Sequence, residues 1–249
     1  GEGIGRSVDD FGGQGEKPSH PELLDYLAVS FQEHNWDLKW LTKQIVMSQV
    51  YRQDSAEKTE ALKLDPSNHL LWRKAPLRVE AESIRDSMLA VSGLLDKKMY
   101  GKPEPLKRGA DGQWLEDDEK GNARRRSLYL KQSRTRPVAF LHAFDAPTMN
   151  TDHETQRFRS ALPTQSLALL NSPFIEKISR AFAAQLLEQS GGVMDEAIRR
   201  SFIAAYSREG REGEVKVARE LIAASDDPKE GLRFFVQALL GANDFLYSY

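Results

Sequence analysis

Apolar residues recur three and four positions apart over most of this chain, the spacing of one helix face, while strictly alternating runs are scarce. Leu23, Leu24, Leu27, Ala28 and Phe31 predict a first helix, opened by Ser19 as N-cap with Glu22 closing a capping box and Pro21 in the first turn. Asp37 predicts the N-cap of a second helix carrying Leu38, Leu41 and Ile45, so the two form a helical hairpin turning near Asn35. A third helix is expected from Arg78 to Asp96, with Ala81, Ile84, Met88, Val91 and Leu95 as its stripe, acids early and Lys97 and Lys98 at its end.

The pattern then breaks. Glycines at 101, 109, 112 and 121, prolines at 103 and 105 and the acidic run Glu116 to Glu119 predict a long loop. Gly121-Asn122 reads as a turn and Ser127-Leu128-Tyr129-Leu130 alternates like a strand, so a short hairpin is expected there. From Pro163 the helical period returns. Pro163 and Pro173 read as first-turn prolines, with Ser172 capping the second helix, and further helices are expected over 194–206, 212–224 and 228–243, the last opened by Asp227-Pro228.

The expected fold is therefore all-α: an irregular multi-helix bundle with a long central loop and at most a short β-hairpin. Residues 1–249 read as a single helical domain, with an N-terminal helical part 19–96, an insert 97–162 and a C-terminal helical part 163–249.

Composition narrows the chemistry. With no cysteine among 249 residues, the chain itself can hold no disulfide, thiolate nucleophile, cysteine-ligated metal or covalent haem. A balance of 35 basic against 37 acidic residues argues against coating nucleic acid through bulk charge. No apolar run is long enough to be a transmembrane segment, and the polar start Gly1-Glu2-Gly3-Ile4-Gly5-Arg6 reads as the interior of a longer protein. Walker A, HExxH, GxSxG and dinucleotide fingerprints are missing.

Two segments concentrate polar chemistry. Lys120–His142 contains no carboxylate, and its Lys120, Arg124, Arg125, Arg126, Lys131, Arg134 and Arg136 alternate with aromatic residues, a pattern suited to an anionic polymer. The same arginines can instead pair with Glu116 to Glu119 and with helix carboxylates. The second segment runs from Asp145 to Arg159. Asp145, His153 and Glu154 are its acid/base candidates, and Asn150, Arg157 and Arg159 could grip a ligand, with His20 and Arg126 as further contacts. Its competing reading is a polar connector whose side chains cap turns and tie down helix ends. Adjacent Asp152, His153 and Glu154 lack a spaced partner, so no metal site is assigned.

Several strings match one family in order. They are Arg6-Ser7-Val8-Asp9-Asp10-Phe11-Gly12-Gly13-Gln14-Gly15, Ile45-Val46-Met47-Ser48-Gln49-Val50-Tyr51-Arg52-Gln53, Leu71-Trp72-Arg73, Arg78-Val79-Glu80-Ala81-Glu82-Ser83-Ile84-Arg85-Asp86, Arg125-Arg126-Ser127-Leu128-Tyr129, Phe144-Asp145-Ala146-Pro147, Pro163-Thr164-Gln165-Ser166-Leu167-Ala168-Leu169-Leu170-Asn171 and Asn243-Asp244-Phe245-Leu246-Tyr247. The chain resembles the planctomycete-type domain of unknown function 1553, which closes large exported proteins behind another uncharacterised domain and often a cytochrome c-like domain. The resemblance implies covalently linked neighbouring domains, haem in a neighbour rather than in this chain, and a periplasmic or cell-surface location, but no reaction. It places recurrent polar residues at His20, Asp25, Arg73, Glu80, Arg85, Arg126, Asp145, Arg157, Arg159, Gln165 and Asn171. Where the family commonly has a cysteine this chain has His153, and where it has paired arginines this chain has Gln156-Arg157.

Three readings of function follow as expectations: a non-catalytic interaction or ligand-binding module, for which an anionic glycan is one candidate ligand; a hydrolase of a polysaccharide or sulfated glycan working around Asp145–Arg159; or binding of an anionic polymer through Lys120–Arg136.

Overall fold

The computed structural model describes residues 3–7, 10, 12–117, 124–147, 157 and 159–249. Of the described residues 52% are helical, in eleven α-helices and short 3-10 turns, with four short strands. It divides into two compact units, one of residues 1–77 with Tyr249 and one of Arg78–Ser248.

The first unit holds α1 (Pro21–Glu33), α2 (Leu38–Met47) and α3 (Thr59–Leu64). The turn between α1 and α2 passes through Asn35 and Trp36, both at positive φ, and Asp37 caps α2 by accepting from the backbone N–H groups of Lys39 and Trp40. The expected Ser19 capping box does not form. Pro21 fixes the first helical residue, which makes His20 the N-cap and leaves Ser19 one position upstream, where its hydroxyl meets His20 Nδ1 at 3.0 Å. A connector closes on Asp65, whose carboxylate accepts from the N–H groups of His69 and Leu70, while its carbonyl accepts from Trp72 Nε1.

The second unit begins in strand β1 (Leu77–Arg78) and enters α4 (Ala81–Val91). The expected 78–96 helix is shorter at both ends. Arg78 is extended and the Val79 N–H donates to the Leu246 carbonyl, so Glu80 becomes the N-cap. At the other end Gly93 takes φ +70°, and the N–H groups of Gly93 and Leu94 return to the carbonyls of Ala90 and Leu89 in a Schellman stop. The hairpin also lies elsewhere than expected. Strands β2 (Leu106–Arg108) and β3 (Trp114–Glu116) pair antiparallel around Asp111-Gly112, with Gly112 at φ +82°. Ser127–Tyr129 is a 3-10 turn rather than a strand, because the Tyr129 and Leu130 N–H groups close back on Arg126 and Ser127. The Gly121-Asn122 turn lies outside the described residues.

Beyond α5 (Ala139–Ala143) come α6 (Pro163–Asn171), α7 (Pro173–Gln189), α8 (Met194–Tyr206), α9 (Glu212–Ala223), α10 (Pro228–Gly241), α11 (Asn243–Leu246) and strand β4 (Tyr247–Ser248). Ile175, Ile178, Phe182 and Leu186 form the buried stripe of α7, and Leu232, Val236, Leu239 and Leu240 that of α10, which packs on α7 and α9. Each such side chain contributes roughly 1.5–3 kcal/mol by leaving water. The α9–α10 crossing is close enough that a Cβ on Gly231 would meet the Ile222 carbonyl oxygen at 2.6 Å. Asp227 caps α10 by accepting from the Lys229 N–H at 2.9 Å. Asp227→Ala is expected to cost about 1 kcal/mol in urea unfolding, with an unchanged m-value.

Candidate functional site

A cleft of about 1110 Å³ opens in the second unit between the β2–β3 hairpin, α5, α6 and the start of α7. Each wall follows from a local feature. The Asp111-Gly112 turn presents Trp114 and Glu116, Pro163 starts the helix that offers Thr164, Leu167 and Asn171, and Ser172-Pro173 starts the one that offers Phe174 and Lys177. Phe140 of α5 lies 5.0 Å from Phe174, and the two rings give the cleft an apolar lining.

The charged groups at this wall are held from behind. Arg85 of α4 is completely buried; its Nε donates to Glu116 Oε1 at 2.8 Å and its Nη1 to the Arg125 carbonyl at 3.0 Å. Asp145, at φ +59°, accepts from the Ser160 N–H at 2.7 Å, the Ser160 hydroxyl at 2.8 Å and Arg78 Nη2 at 2.5 Å. Burial pushes the Asp145 carboxyl up, but the Ser160 hydrogen bonds and the Arg78 charge outweigh it and hold it below the ordinary carboxylate value. Lys177 is half-buried. Loss of hydration lowers its ammonium below the usual lysine range; nearby Glu116 opposes this and Arg85 adds to it.

The structure brings only some of the expected site residues together. Asp145 lines the cleft and is joined by Gln165, whose Nε2 donates to the Ser160 carbonyl at 3.2 Å. Arg157 instead pairs with Glu82 at 2.7 Å and Glu80 at 3.3 Å, and Arg159 is exposed. His20 belongs to the first unit. Asn150, His153 and Glu154 lie outside the described residues. Among the described residues no group of three His, Asp or Glu side chains could hold a metal, and no helix is long and apolar enough to cross a membrane.

The basic segment is divided between the fold and the surface. Arg125 is buried and gathers the carbonyls of Lys98, Tyr100 and Lys102 and the Glu104 carboxylate, with its guanidinium 3.7 Å over the Tyr129 ring. The Tyr129 hydroxyl accepts from the Tyr100 N–H and, with the Arg126 guanidinium also beside it, sits below the usual phenol range. Arg136 lies over Trp114 at 4.8 Å, and Arg126, Lys131 and Arg134 are exposed.

Sequence reasoning missed Trp114, Glu116, Thr164, Phe174 and Lys177 as members of one site. The usable signal was the glycine-bounded stretch Gly109-Ala110-Asp111-Gly112, a tight turn in which the Gly112 N–H donates to the Gly109 carbonyl and Gly112 takes positive φ, so that Trp114 and Glu116 return on a strand. No curated protein and no solved structure matches the chain. The family described as protein of unknown function DUF1553 matches residues 1–222, which takes in residues 1–77 of the first unit and the second as far as α9, so the chain belongs to the DUF1553 family.

Proposed function

We propose that residues 78–248 form a non-catalytic ligand-binding module whose cleft takes a segment of glycan. The carrying observation is the cleft itself. At about 1110 Å³ it exceeds the roughly 300–1,000 Å³ typical of small-molecule pockets, and it joins aromatic surfaces at Trp114, Phe140 and Phe174 to polar groups at Gln113, Thr164, Asn171 and Lys177. Ring faces and hydroxyls at once are what a sugar chain offers. The binding role is favoured over hydrolysis because Asp145, the acid/base candidate among the described residues of this cleft, already accepts from Ser160 and Arg78, which stabilise it as an anion and oppose its acting as proton donor to a leaving oxygen. In the longer exported, haem-associated protein that the sequence resemblance implies, the module would hold its ligand beside covalently linked neighbours.

Calorimetric titration of the full chain with a panel of tetrasaccharides tests this reading. Trp114→Ala is expected to weaken any binding by about tenfold, the loss of roughly 1.4 kcal/mol of ring contact, with the sugars recovered intact. Failure of every panel member to bind, or cleavage of a bound one, would contradict it.

A further inference from the structure

The helical hairpin of the first unit leaves its apolar side chains uncovered. Of the residues in α1, α2 and α3 only Ser30 is buried. Tyr26 and Val29 on α1 and Leu38 and Met47 on α2 are each more than half exposed. Helices of 13 and 10 residues are marginal in water unless one face packs, so the hairpin gains stability from whatever covers these faces. The charges identify the cover. Helix α1 carries Glu22, Asp25 and Glu33 and no base, while α2 carries Lys39 and Lys43 and no acid. The ion pairs described in the first unit join Lys63 to Glu60 and Arg73 to Glu57, and none of these five charges takes part in one. On α7 and α8, by contrast, Arg180 meets Glu176 and Glu230, and Arg199 meets Glu196.

Each helix presents what the other lacks. On α1, Glu22, Tyr26, Val29 and Glu33 follow one another at intervals of four, three and four, a single stripe with an acid at either end. On α2, Leu38, Val46 and Met47 line a groove of about 390 Å³ together with Lys39 and Lys43. An apolar stripe bracketed by carboxylates suits an apolar groove flanked by ammonium groups, because the apolar atoms leave water while the charges at the rim fix the register. A second copy of the chain supplies this match by itself. A two-fold axis makes every contact twice, so the acids of each copy are answered by the lysines of the other. A membrane surface fits poorly, since helices that lie among lipid headgroups carry basic polar faces and α1 has no base.

We propose that two copies of the chain associate through this hairpin, the α1 stripe of each seated in the α2 groove of the other. The helices are only about 20 and 15 Å long, so the interface lies at the small end of specific ones and the dimer is expected at micromolar concentrations. Sedimentation velocity of the full chain between about 1 and 100 μM tests the pairing, and raising the salt from about 50 to 500 mM should weaken it about fivefold. Two variants each reverse one side of the contact: Asp25→Lys with Glu33→Lys on α1, and Lys39→Glu with Lys43→Glu on α2. Glu33→Lys puts a base in the last turn of α1 and Lys39→Glu an acid in the first turn of α2, as the helix dipoles favour, and circular dichroism confirms that both variants are folded. Each alone should self-associate about tenfold more weakly than the wild type, and an equimolar mixture should recover the wild-type affinity, because every acidic helix then meets a basic one. A chain that stays monomeric throughout this range, an assembly indifferent to both reversals, or a mixture that associates no better than its components would overturn the inference. The binding role of the cleft stands or falls separately.

Discussion

Arg85→Ala is expected to destabilise the second unit by about 3–5 kcal/mol, read as a lower urea midpoint. Arg85 has no solvent exposure and joins three parts of the chain: Glu116 on β3 through Nε at 2.8 Å, and the Arg125 carbonyl and Ser127 hydroxyl beside the 3-10 turn through Nη1 at 3.0 and 3.3 Å. Its guanidinium also lies 5.5 Å from the centre of the Phe174 ring. Truncation strands a Glu116 side chain that is only 9% exposed, opens a cavity and removes a donor from a buried carbonyl. Arg85→Lys should recover little, since an ammonium cannot serve these acceptors with the fixed fork of a guanidinium. Arg85→Met with Glu116→Gln should cost less than Arg85→Ala, because no unpaired charge is left inside. A loss below about 1 kcal/mol for Arg85→Ala would mean that the buried pair contributes nothing net, contrary to this account. Because Glu116 lines the cleft, the same variant should weaken ligand binding along with stability.

The helices that could be read from the sequence were those with a sustained apolar period, such as α8 and α9, or with ends that carry their own chemistry. Asp37, Ser172 and Asp227 each cap the helix that follows them, and of the stripe expected on α7, Phe174, Ile178, Phe182 and Leu186, the last three are buried while Phe174 is half-buried at the cleft and Ile175 takes its place in the core. Where tertiary contacts decide, local pattern misled. Arg78 and Val79 continue a helical period, yet Arg78 reaches the Phe144 carbonyl and Asp145 while the Val79 N–H donates to the Leu246 carbonyl. These partners are 66 to 167 residues distant in sequence, so no local window contains them. Short α3 and α5, of six and five residues, carry too little period to register. The candidate site shows the same division. Asp145 was visible as a polar residue in a connector, whereas the cleft it lines is assembled from a hairpin and three helices spanning residues 107–178. The basic segment could be seen only as charge. That Arg125 faces inward while Arg126 faces solvent depends on the carbonyls of Lys98, Tyr100 and Lys102 that fold over it.

Asp145→Ala is the other substitution expected to be severe, at about 3–5 kcal/mol. Arg78 is 5% exposed, and among the described residues its Nε and Nη1 have no partner, so Nη2 on Asp145 and on the Phe144 carbonyl carries its compensation. Without the carboxylate a buried guanidinium keeps one carbonyl, and the Ser160 N–H and hydroxyl lose their acceptor. Asp145→Asn should cost less, because asparagine tolerates the positive φ of +59° and offers one oxygen to Ser160. The effect is also linked to pH. Since folding holds the Asp145 carboxyl below its ordinary value of 3.8, its stabilisation is complete well above that value and disappears as the pH falls through the lower folded-state value. The stability gap between wild type and Asp145→Ala should therefore be constant near neutrality and narrow on acidification below about pH 4. Unfolding midpoints across this range measure the gap directly. A loss of fold stability on Asp145→Ala is what the Ser160 and Arg78 contacts require, and a melting curve left nearly unchanged would contradict them.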